Sequence, residues 1–379
     1  WETEFFGQLF SMFLVWARQV KQDFEASLEG QPDVQNSDFY DDSQIKLINS
    51  FTQEHLEMST LFSSEDELKL KDDILSNINS TLTVVDPGEN SKSLAQLKKL
   101  YSHCIKAKLD RQSFIIALGG GVIGDLAGYV SATYLRGIDF IQIPTSLLAM
   151  VDSAVGGKTG VNLDEGKNLV GSFHQPKLVL SDLKTLKSLP NREFIAGMAE
   201  VIKYGIIYDK NLFSRIEESF NEITAKNENS SLLAEIIGRC CEIKAEIVSK
   251  DEKENDLRAI LNFGHTVGHA IENKSGYSSS MIHGEAFSIG MVFAAEVSCT
   301  CFDLSMDDLN RIKKILTNVG LPICYKSLGW NELKEVINID KKTVNGKAHF
   351  VLASKIGDVS TGHVVDDEIL ENTWNKINE

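Results

Sequence analysis

Between residues 81 and 185, short apolar runs alternate with segments whose apolar residues recur every three or four positions. The runs Leu82–Val85, Ser113–Leu118 and Phe140–Ile143 predict buried strands. Helical spacing is found in Ser93–Lys108 and in a segment that starts at about Gly124. Strands that alternate with helices predict a parallel α/β sheet.

The pattern changes after about Leu186, where helical periodicity dominates. It extends from Arg192 to about Ser279 and returns in Glu285–Cys301 and Met306–Val319. A chain of 379 residues is also long enough for two hydrophobic cores. We therefore predict a parallel-sheet domain over residues 1–185 and an all-α domain over residues 186–379. Residues 1–80 carry few interpretable signals.

The chain is acidic, with 38 Lys and Arg residues against 54 Asp and Glu residues and a formal net charge of −16. Such a chain has no general attraction for nucleic acid or for anionic membranes. Its six cysteines form no CxxC pair, which favours a reducing compartment. No apolar run reaches the length of about 18 residues that a membrane span needs. The apolar segment from Phe5 to Val20 favours a helix of the folded protein over a targeting segment.

A glycine-rich turn follows the strand predicted at Ser113–Leu118. Gly119, Gly121 and Gly124 satisfy G-x-G-x-x-G in the required context, after a strand and before a helix. Such a turn lets the backbone approach a pyrophosphate at the positive end of a helix. By itself the motif fits a tight structural turn equally well, and the acidic residue about 20 positions on, Asp139, opens a strand instead of ending one.

Two histidines four residues apart, His265 and His269, would share one face of a helix. On the same helical spacing, Asn262 and Arg258 extend this polar stripe towards the N-terminus. His283 opens the next predicted helix and offers a third imidazole. From the residues alone, both His265 and His269 would be metal ligands.

Glu200 lies on a predicted helix among apolar neighbours, with Lys203 three residues later on the same face. A carboxylate in such surroundings needs a partner or a cation. One carboxylate and two or three imidazoles fit zinc or a similar divalent ion with an open coordination position.

Basic residues accompany nearly every glycine-rich or histidine-rich motif. The segment that follows Asp152 presents Lys158, Lys167 and Asn168 among glycines. It is not a nucleoside-triphosphate loop, because Asp152 stands where the first glycine of that motif belongs. In an acidic protein this clustering favours a substrate that carries both phosphate and carboxylate. The further basic residues of the pattern are Arg136, Lys203, Lys244, Arg258 and Lys342.

Several long segments together resemble the 3-dehydroquinate synthase family. In family order they are ALGGGVIGDLAGYVSATYLRG, IQIPTSLLAMVDSAVGGKTGVN, GKNLVGSFHQPK, LPNREFIAGMAEVIKYG, LRAILNFGHTVGHAIE, HGEAF and DKKTVNGK, within residues 81–375. The resemblance implies an N-terminal Rossmann-like domain, a C-terminal α-helical domain and an active site in the cleft between them. It also implies NAD, a divalent metal (zinc or cobalt), a phosphorylated sugar-acid substrate and a homodimer.

The resemblance assigns roles residue by residue. The metal ligands are Glu200, His265 and His283, so that His269 becomes a substrate contact. The implied catalytic residues are Asp152, Lys158, Asn168, Lys203 and His269. The implied substrate contacts are Arg136, Lys158, Lys167, Asn168, Lys244, Arg258, Asn262, His269 and Lys342, with Lys341 an alternative to Lys342. The implied cofactor contacts are Glu89, Lys92, Gly120, Gly121, Asp125, Thr145, Ser146, Asp152 and Lys167.

The family's N-terminal pattern is not matched. Its adenosine-binding turn has its nearest counterpart in Asp41–Ile45, where Gln44 replaces the usual Asn, and residues 1–40 do not resemble the family. Three other functions stay open: a related cyclase acting on another phosphorylated sugar, a metal-dependent alcohol dehydrogenase, and a non-catalytic remnant. We expect a cytoplasmic protein, or a plastid one if a transit segment has been lost.

Overall fold

The computed structural model describes residues 57–62, 79–227, 230–254, 257–276, 280–339 and 348–379. The chain forms two compact units. The first comprises the described residues up to Pro144 together with Gly157–Ser181, and the second comprises Thr145–Gly156 and Asp182–Glu379. The boundary predicted between residues 185 and 186 stays a prediction.

The first unit is built on a parallel sheet. Its elements are β1 (Glu57–Phe62), β2 (Asn79–Val84), α1 (Leu94–Lys106), β3 (Phe114–Gly119), α2 (Gly121–Thr133), β4 (Asp139–Pro144), β5 (Lys158–Leu163), β6 (Gly166–Phe173) and β7 (Leu178–Val179). The five-stranded sheet has the order β2-β1-β3-β4-β7, and every neighbouring pair is parallel. Strand β3 is buried along its whole length, as expected of a central parallel strand.

The strand order reverses direction between β1 and β3. From β1 the chain moves outward to β2, then returns to the other side of β1 for β3 and continues to β4. Ligands of open parallel sheets bind beside the carboxyl ends of the strands at such a switch point. The glycine turn follows the carboxyl end of β3, and thus lies where this sheet is expected to bind a nucleotide.

Helices α1 and α2 form a core with β3 and β4. Ser93 caps α1 by accepting a hydrogen bond from the Gln96 amide, and Leu97 and Leu100 lie on the buried face of the helix. The antiparallel hairpin of β5 and β6 contributes Val161 to the same core. This hairpin is formed by the segment in which the sequence showed only Lys158, Lys167 and Asn168 among glycines.

The second unit is mainly helical. Its helices are a short π-helical turn (Ala149–Ser153), α3 (Asn191–Ile207), α4 (Lys210–Thr224), α5 (Ser231–Lys250), a 3-10 turn (Leu257–Asn262), α6 (His265–Lys274), α7 (His283–Cys301), α8 (Met306–Asn318), α9 (Trp330–Ile339) and α10 (Asp367–Asn378). Helices α3 and α7 are buried over most of their length and run through the cores of this unit.

An antiparallel hairpin, β8 (Phe350–Lys355) with β9 (Asp358–His363), also belongs to the second unit. It packs on α7, and the Ala353 amide donates a hydrogen bond to the buried Ser298 hydroxyl at 3.0 Å. The helical periodicity of this half did not predict the hairpin. The predicted all-α domain therefore carries a small two-stranded sheet.

Several predictions lie outside the described residues. These are the segment from Phe5 to Val20, the turn at Asp41–Ile45, and the two lysines Lys341 and Lys342. Within the described part of the chain, no helix combines the length and the apolar character that crossing a membrane requires.

Candidate active site

The glycine turn of the first unit is shaped to leave backbone N–H groups available. Strand β3 ends at Gly119, and the N-cap of α2 is Gly120, which has no side chain with which to cap the first turn of that helix. Gly119 has φ +157°, and a Cβ atom there would lie 2.7 Å from Cγ1 of Ile123. The turn therefore requires glycine, and its free amides suit a pyrophosphate.

Three of the predicted cofactor contacts converge beside this turn. Lys92 is buried and forms an ion pair with Asp125 on α2. The side-chain Nδ2 of Asn162, on β5, donates a hydrogen bond to Glu89 Oε1 at 2.7 Å. The backbone N–H of Asn162 donates to the Lys92 carbonyl at 2.8 Å. Asn162 is thus the residue that holds Glu89 and Lys92 in place. It was missed because a single Asn in a hairpin strand gives no signal in sequence.

The β5–β6 hairpin and the turn after α2 carry the basic residues of the first unit. Lys158 opens β5, Lys167 lies in β6, and Asn168 has a left-handed φ of +53°. The Asn168 amide donates to Asn162 Oδ1 at 2.9 Å. Arg136 is exposed and has φ +69°, directly after a second left-handed residue. Left-handed conformations at non-glycine residues are costly and tend to occur at functional sites.

In the second unit, Asp152 lies on the π-helical turn and is held by Lys244 of α5. Lys244 Nζ lies 2.6 Å from Oδ1 and 2.6 Å from the carbonyl of Asp152, and the Tyr204 hydroxyl lies 3.3 Å from the same Oδ1. Burial opposes ionisation of Asp152, but the ammonium groups of Lys244 and Lys203 outweigh it and hold the pKa of Asp152 below its usual range. Burial lowers the pKa of Lys244.

Glu200 and Lys203 lie on the same face of α3, as their spacing predicted, and form an ion pair there. Both side chains are buried, with exposures of 1% and 2%. Among the described residues, Glu200 Oε2 has this ionic contact but no hydrogen bond. The other oxygen, Oε1, lies 3.9 Å from His283 Nε2. The buried carboxylate therefore has unmet capacity for a further cation.

Three imidazoles converge on the ring of Phe287. The ring centroids of His283, His265 and His269 lie 3.9, 4.2 and 5.0 Å from that of Phe287. His265 Nδ1 lies 3.3 Å from the Phe263 carbonyl, a contact of the kind that orients metal-binding imidazoles. Phe287 was not predicted, although its place one turn after His283 on an apolar helix face could have indicated it.

A buried carboxylate, Glu272 on α6, joins two of these imidazoles. Its Oε2 lies 3.2 Å from His269 Nδ1 and its Oε1 lies 3.5 Å from His283 Nδ1. Burial opposes protonation of His283, but the carboxylates of Glu272, Glu200 and Asp152 outweigh it and raise the pKa of His283. Sequence reasoning missed Glu272, although it lies three residues after His269 on the same helix face.

The predicted single stripe from Arg258 to His269 was wrong. Arg258 and Asn262 lie on the separate 3-10 turn, because Gly264 adopts a left-handed φ of +79° and ends any continuous helix there. Helix α6 begins at His265, so that of the four residues of the predicted stripe only the two histidines lie on it, with ring centroids 5.6 Å apart.

The 3-10 turn still orients its polar residues within the second unit. Arg258 is buried, and its guanidinium donates to the carbonyls of Glu252 at 2.5 Å and Gly156 at 3.2 Å. Burial lowers the pKa of this guanidinium. Asn262 Nδ2 donates to Glu254 Oε1 at 2.6 Å.

Glycines set the separation of the helices that carry these groups. A Cβ atom at Gly284 would lie 1.9 Å from the carbonyl oxygen of Ala196 on α3, and one at Gly290 would lie 2.1 Å from that of Gly264. Backbone therefore touches backbone where α7 meets α3 and α6. This close packing fixes His283 relative to Glu200 and His265.

The remaining predicted cofactor contacts, Thr145 and Ser146, follow directly after β4. Both are partly buried, and Ser146 Oγ accepts a hydrogen bond from the Ala149 amide at 3.3 Å, at the start of the π-helical turn. The structure thus gives Ser146 a local capping role.

The described His, Cys, Asp and Glu side chains include no group of three close enough to hold a metal ion as they stand. The donor chemistry nevertheless fits a divalent cation. Glu200 has unmet capacity, and the Nδ1 atoms of His265 and His283 each contact an oxygen atom, as is usual for imidazoles that bind metal. Assembly of Glu200, His265 and His283 around one ion stays a prediction.

Comparisons with known proteins show the family of the chain. Models of the N-terminal and C-terminal parts of 3-dehydroquinate synthase match residues 82–196 and 197–343. The chain belongs to the 3-dehydroquinate synthase family. It is 50% identical over 276 residues to the 3-dehydroquinate synthase of Desulforamulus reducens, which covers 73% of this chain and 76% of that one. For the enzyme of Prochlorococcus marinus strain NATL1A the identity is 46% over 308 residues, or 81% and 83% of the two chains.

Solved structures share the fold. The 2-epi-5-epi-valiolone synthase of Streptomyces hygroscopicus, with NAD+ and Zn2+ bound, has a TM-score of 0.80 at 22% identity and covers 92% of this chain and 99% of that one. A 2-deoxy-scyllo-inosose synthase, complexed with carbaglucose-6-phosphate, NAD+ and Co2+, has a TM-score of 0.77 at 25% identity, with 88% and 94% covered. The predicted combination of a Rossmann-like sheet unit and a helical unit is thereby confirmed.

Proposed function

We propose that the protein catalyses the reaction of its family, in which 3-deoxy-D-arabino-heptulosonate 7-phosphate becomes 3-dehydroquinate and phosphate. This is a step of the shikimate pathway towards chorismate and the aromatic amino acids. The observation that carries the proposal is the occurrence in one unit of a carboxylate–imidazole donor set and two buried cations, Lys244 and Arg258. A substrate that is both a polyol and a carboxylate needs both features.

The first unit would bind NAD. The free amides of the turn at Gly120 and Gly121 would hold the pyrophosphate, and Glu89 and the Lys92–Asp125 pair would contact the nucleotide beside it. Bound NAD would supply reversible hydride chemistry, with the hydride leaving the carbon that bears a substrate hydroxyl and later returning, so that the overall reaction involves no net oxidation.

The second unit would hold the divalent cation, zinc or cobalt, through Glu200, His265 and His283. A cation at this position supplies Lewis acidity, which makes a substrate hydroxyl easier to deprotonate. Lys203, which is paired with Glu200 one helical turn away, would donate a hydrogen bond to the same hydroxyl.

Lys244 and Arg258 would hold the substrate carboxylate. In the structure the guanidinium of Arg258 donates to the backbone carbonyls of Glu252 and Gly156, and a substrate carboxylate would add a charge-assisted contact. Asp152 holds the ammonium of Lys244 at 2.6 Å and so fixes its position. A charge-assisted clamp of this kind sets the orientation of the sugar chain.

Taken by itself, each unit carries groups whose chemistry suits a phosphate. In the first unit these are Lys158, Lys167 and Asn168 on the hairpin, with Arg136 on the strained turn. In the second unit His269 has a half-exposed side chain, with an exposure of 46%, and a fixed Nδ1 contact. Its Nε2 would then be available to a substrate oxygen or its proton.

The alternatives predict different products. Related cyclases that act on neutral sugar phosphates have no use for a carboxylate clamp at Lys244 and Arg258. A simple alcohol dehydrogenase would release NADH in proportion to substrate and needs few basic groups. A non-catalytic remnant would not preserve the ion pairs of Lys203 and Asp152.

One assay separates these functions. Purified protein is incubated with the heptulosonate phosphate, a catalytic amount of NAD and Zn2+ or Co2+, and both phosphate and 3-dehydroquinate are measured. We expect equal amounts of the two products and no accumulation of NADH. Stoichiometric NADH, a different cyclic product or no turnover would each refute the proposal and select a different alternative.

We further propose a homodimer, and a cytoplasmic location with the plastid as the alternative. Size-exclusion chromatography with light scattering tests the first, and localisation of the tagged full-length protein tests the second. The choice between Lys341 and Lys342 as a ligand contact is tested by alanine variants of each.

A further inference from the structure

Glu272 occupies a position that the proposed reaction does not use. Its carboxylate is buried between two imidazoles that lie on different helices, His269 on α6 and His283 on α7. The distances from the carboxylate oxygens to the two Nδ1 atoms are 3.2 and 3.5 Å. The side chain of Glu272 therefore touches two predicted site residues: His269, which is expected to bind substrate, and His283, which is expected to bind the metal.

We propose that Glu272 is a positioning residue, which fixes both imidazoles with a proton on Nδ1 and the lone pair on Nε2. The inference rests on the function proposed above. An ionised carboxylate has only acceptor sites, so each Nδ1 that it binds must act as a donor. The Nε2 lone pair is then directed at the substrate in the case of His269 and at the metal in the case of His283.

The packing explains why such a residue is needed. The Phe287 ring lies beside both imidazoles and restricts the planes in which they lie. A hydrocarbon surface does not, however, distinguish a ring from the same ring turned over by 180°, which exchanges a nitrogen for a carbon. The hydrogen bond to Glu272 distinguishes the two orientations.

The orientation matters most at His283. With Nδ1 directed at Glu272, Nε2 lies 3.9 Å from Glu200 Oε1. Two atoms that each bind one cation at about 2.0–2.2 Å lie no more than about 4.4 Å apart. The separation observed in the structure is therefore within the range that a shared ion allows. A ring turned over would present carbon to Glu200 and remove one ligand.

The test uses Glu272→Gln, which keeps the shape of the side chain but makes one of its two acceptors a donor. One imidazole must then change its tautomer or turn over. We expect the affinity of the metal-free protein for Co2+ to fall about 10- to 100-fold, as is typical when a group that orients a metal ligand is lost. The visible absorption spectrum of bound Co2+ should change, while the affinity for NAD, measured without metal, should not.

Glu335→Gln is the matched control. Glu335 is an exposed carboxylate of α9 that contacts Lys274 of α6 at 3.2 Å, so the same chemical change is made beside the same helix but away from the imidazoles. We expect Co2+ affinity and spectrum to match those of the unmodified protein. Equal losses in both variants would indicate a general effect on α6 and would overturn the proposal.

A measurement on the unmodified protein avoids dependence on the folding of any variant. In protein labelled with 15N-histidine and loaded with Zn2+, we expect the Nδ1 atoms of His269 and His283 to carry the ring protons. A proton on Nε2 of either residue overturns the proposal. Failure of the unmodified protein to bind Co2+ overturns both the ligand set and this inference, whereas normal Co2+ binding by Glu272→Gln overturns the inference alone.

Discussion

Replacement of Gly284 by alanine tests whether the contact between α3 and α7 positions the metal ligands. The added Cβ atom would lie 1.9 Å from the Ala196 carbonyl oxygen, whereas real Cβ atoms stay at least 3.0 Å from such atoms. The Cβ atom is attached directly to the backbone of α7, and the carbonyl oxygen belongs to the backbone of α3. The clash therefore cannot be relieved by rotation of a side chain. The two helices must therefore separate by about 1 Å or more.

Two losses follow from this separation. Overpacking a buried contact typically lowers the free energy of unfolding by about 1–3 kcal/mol. The displacement also moves His283, which is adjacent to Gly284, away from Glu200. A misplacement of about 1 Å can reduce an enzymatic rate about 10²-fold. We expect Gly284→Ala to be less stable and to lose about that factor in kcat/KM.

The assay combines urea unfolding with steady-state kinetics and Co2+ titration. Gly238→Ala serves as the matched control, because Gly238 is exposed on α5 and a Cβ atom there would meet no described atom within 4 Å. That change should stabilise the helix by about 0.5–1 kcal/mol and leave the rate unchanged. If Gly284→Ala matches Gly238→Ala in stability and rate, the inferred role of the contact is refuted.

Three further predictions address other parts of the molecule. Lys203→Ala and His265→Ala should each lose more than about 10²-fold in kcat, and near-normal turnover in both would contradict their roles. Asp125→Ala leaves the buried ammonium of Lys92 without this partner, so the Kd for NAD should rise while Co2+ binding is retained, and calorimetry with each ligand checks this. Burial raises the pKa of Glu296, but its ion pairs with Lys313 and Lys376 outweigh this effect and lower the pKa. Its contribution to stability should be present at neutral pH and lost as the pH falls below about 4, so urea midpoints of Glu296→Gln and the unmodified protein should differ at pH 7 and converge in acid.

The elements that sequence predicted best were those with a strong period. Strand β4 extends one residue beyond each end of the predicted Phe140–Ile143, and α8 ends one residue before the predicted Val319. Strand β4 is buried along most of its length and α8 along one face. The spacing of their apolar residues is therefore enough to tell strand from helix.

The hairpins were missed for a physical reason. Strands β8 and β9 are paired with each other and packed on α7, and their apolar residues follow no clear alternation next to long helical segments. The stripe from Arg258 to His269 failed for another reason. Helical spacing assumes a continuous helix, and the left-handed conformation of Gly264 breaks it.

Within the site, sequence predicted the residues that carry chemistry better than those that orient them. The shared helix face of Glu200 and Lys203 followed from their spacing, and His283 was recognised as a third imidazole from its place at the start of a predicted helix. Glu272, Phe287 and Asn162 escaped because their importance lies in contacts between elements, which depend on tertiary structure.

The meeting of Gly264 and Gly290 has a consequence for any attempt to redesign the metal preference. Where main chain packs directly on main chain, the distance between the helices that carry the histidines is set by van der Waals contact of the backbones and not by side-chain rotamers. Exchanging one ligand type for another would change the donor atoms but not the space between the helices that carry them. A larger ion would require a new helix crossing, built by altering these small residues first.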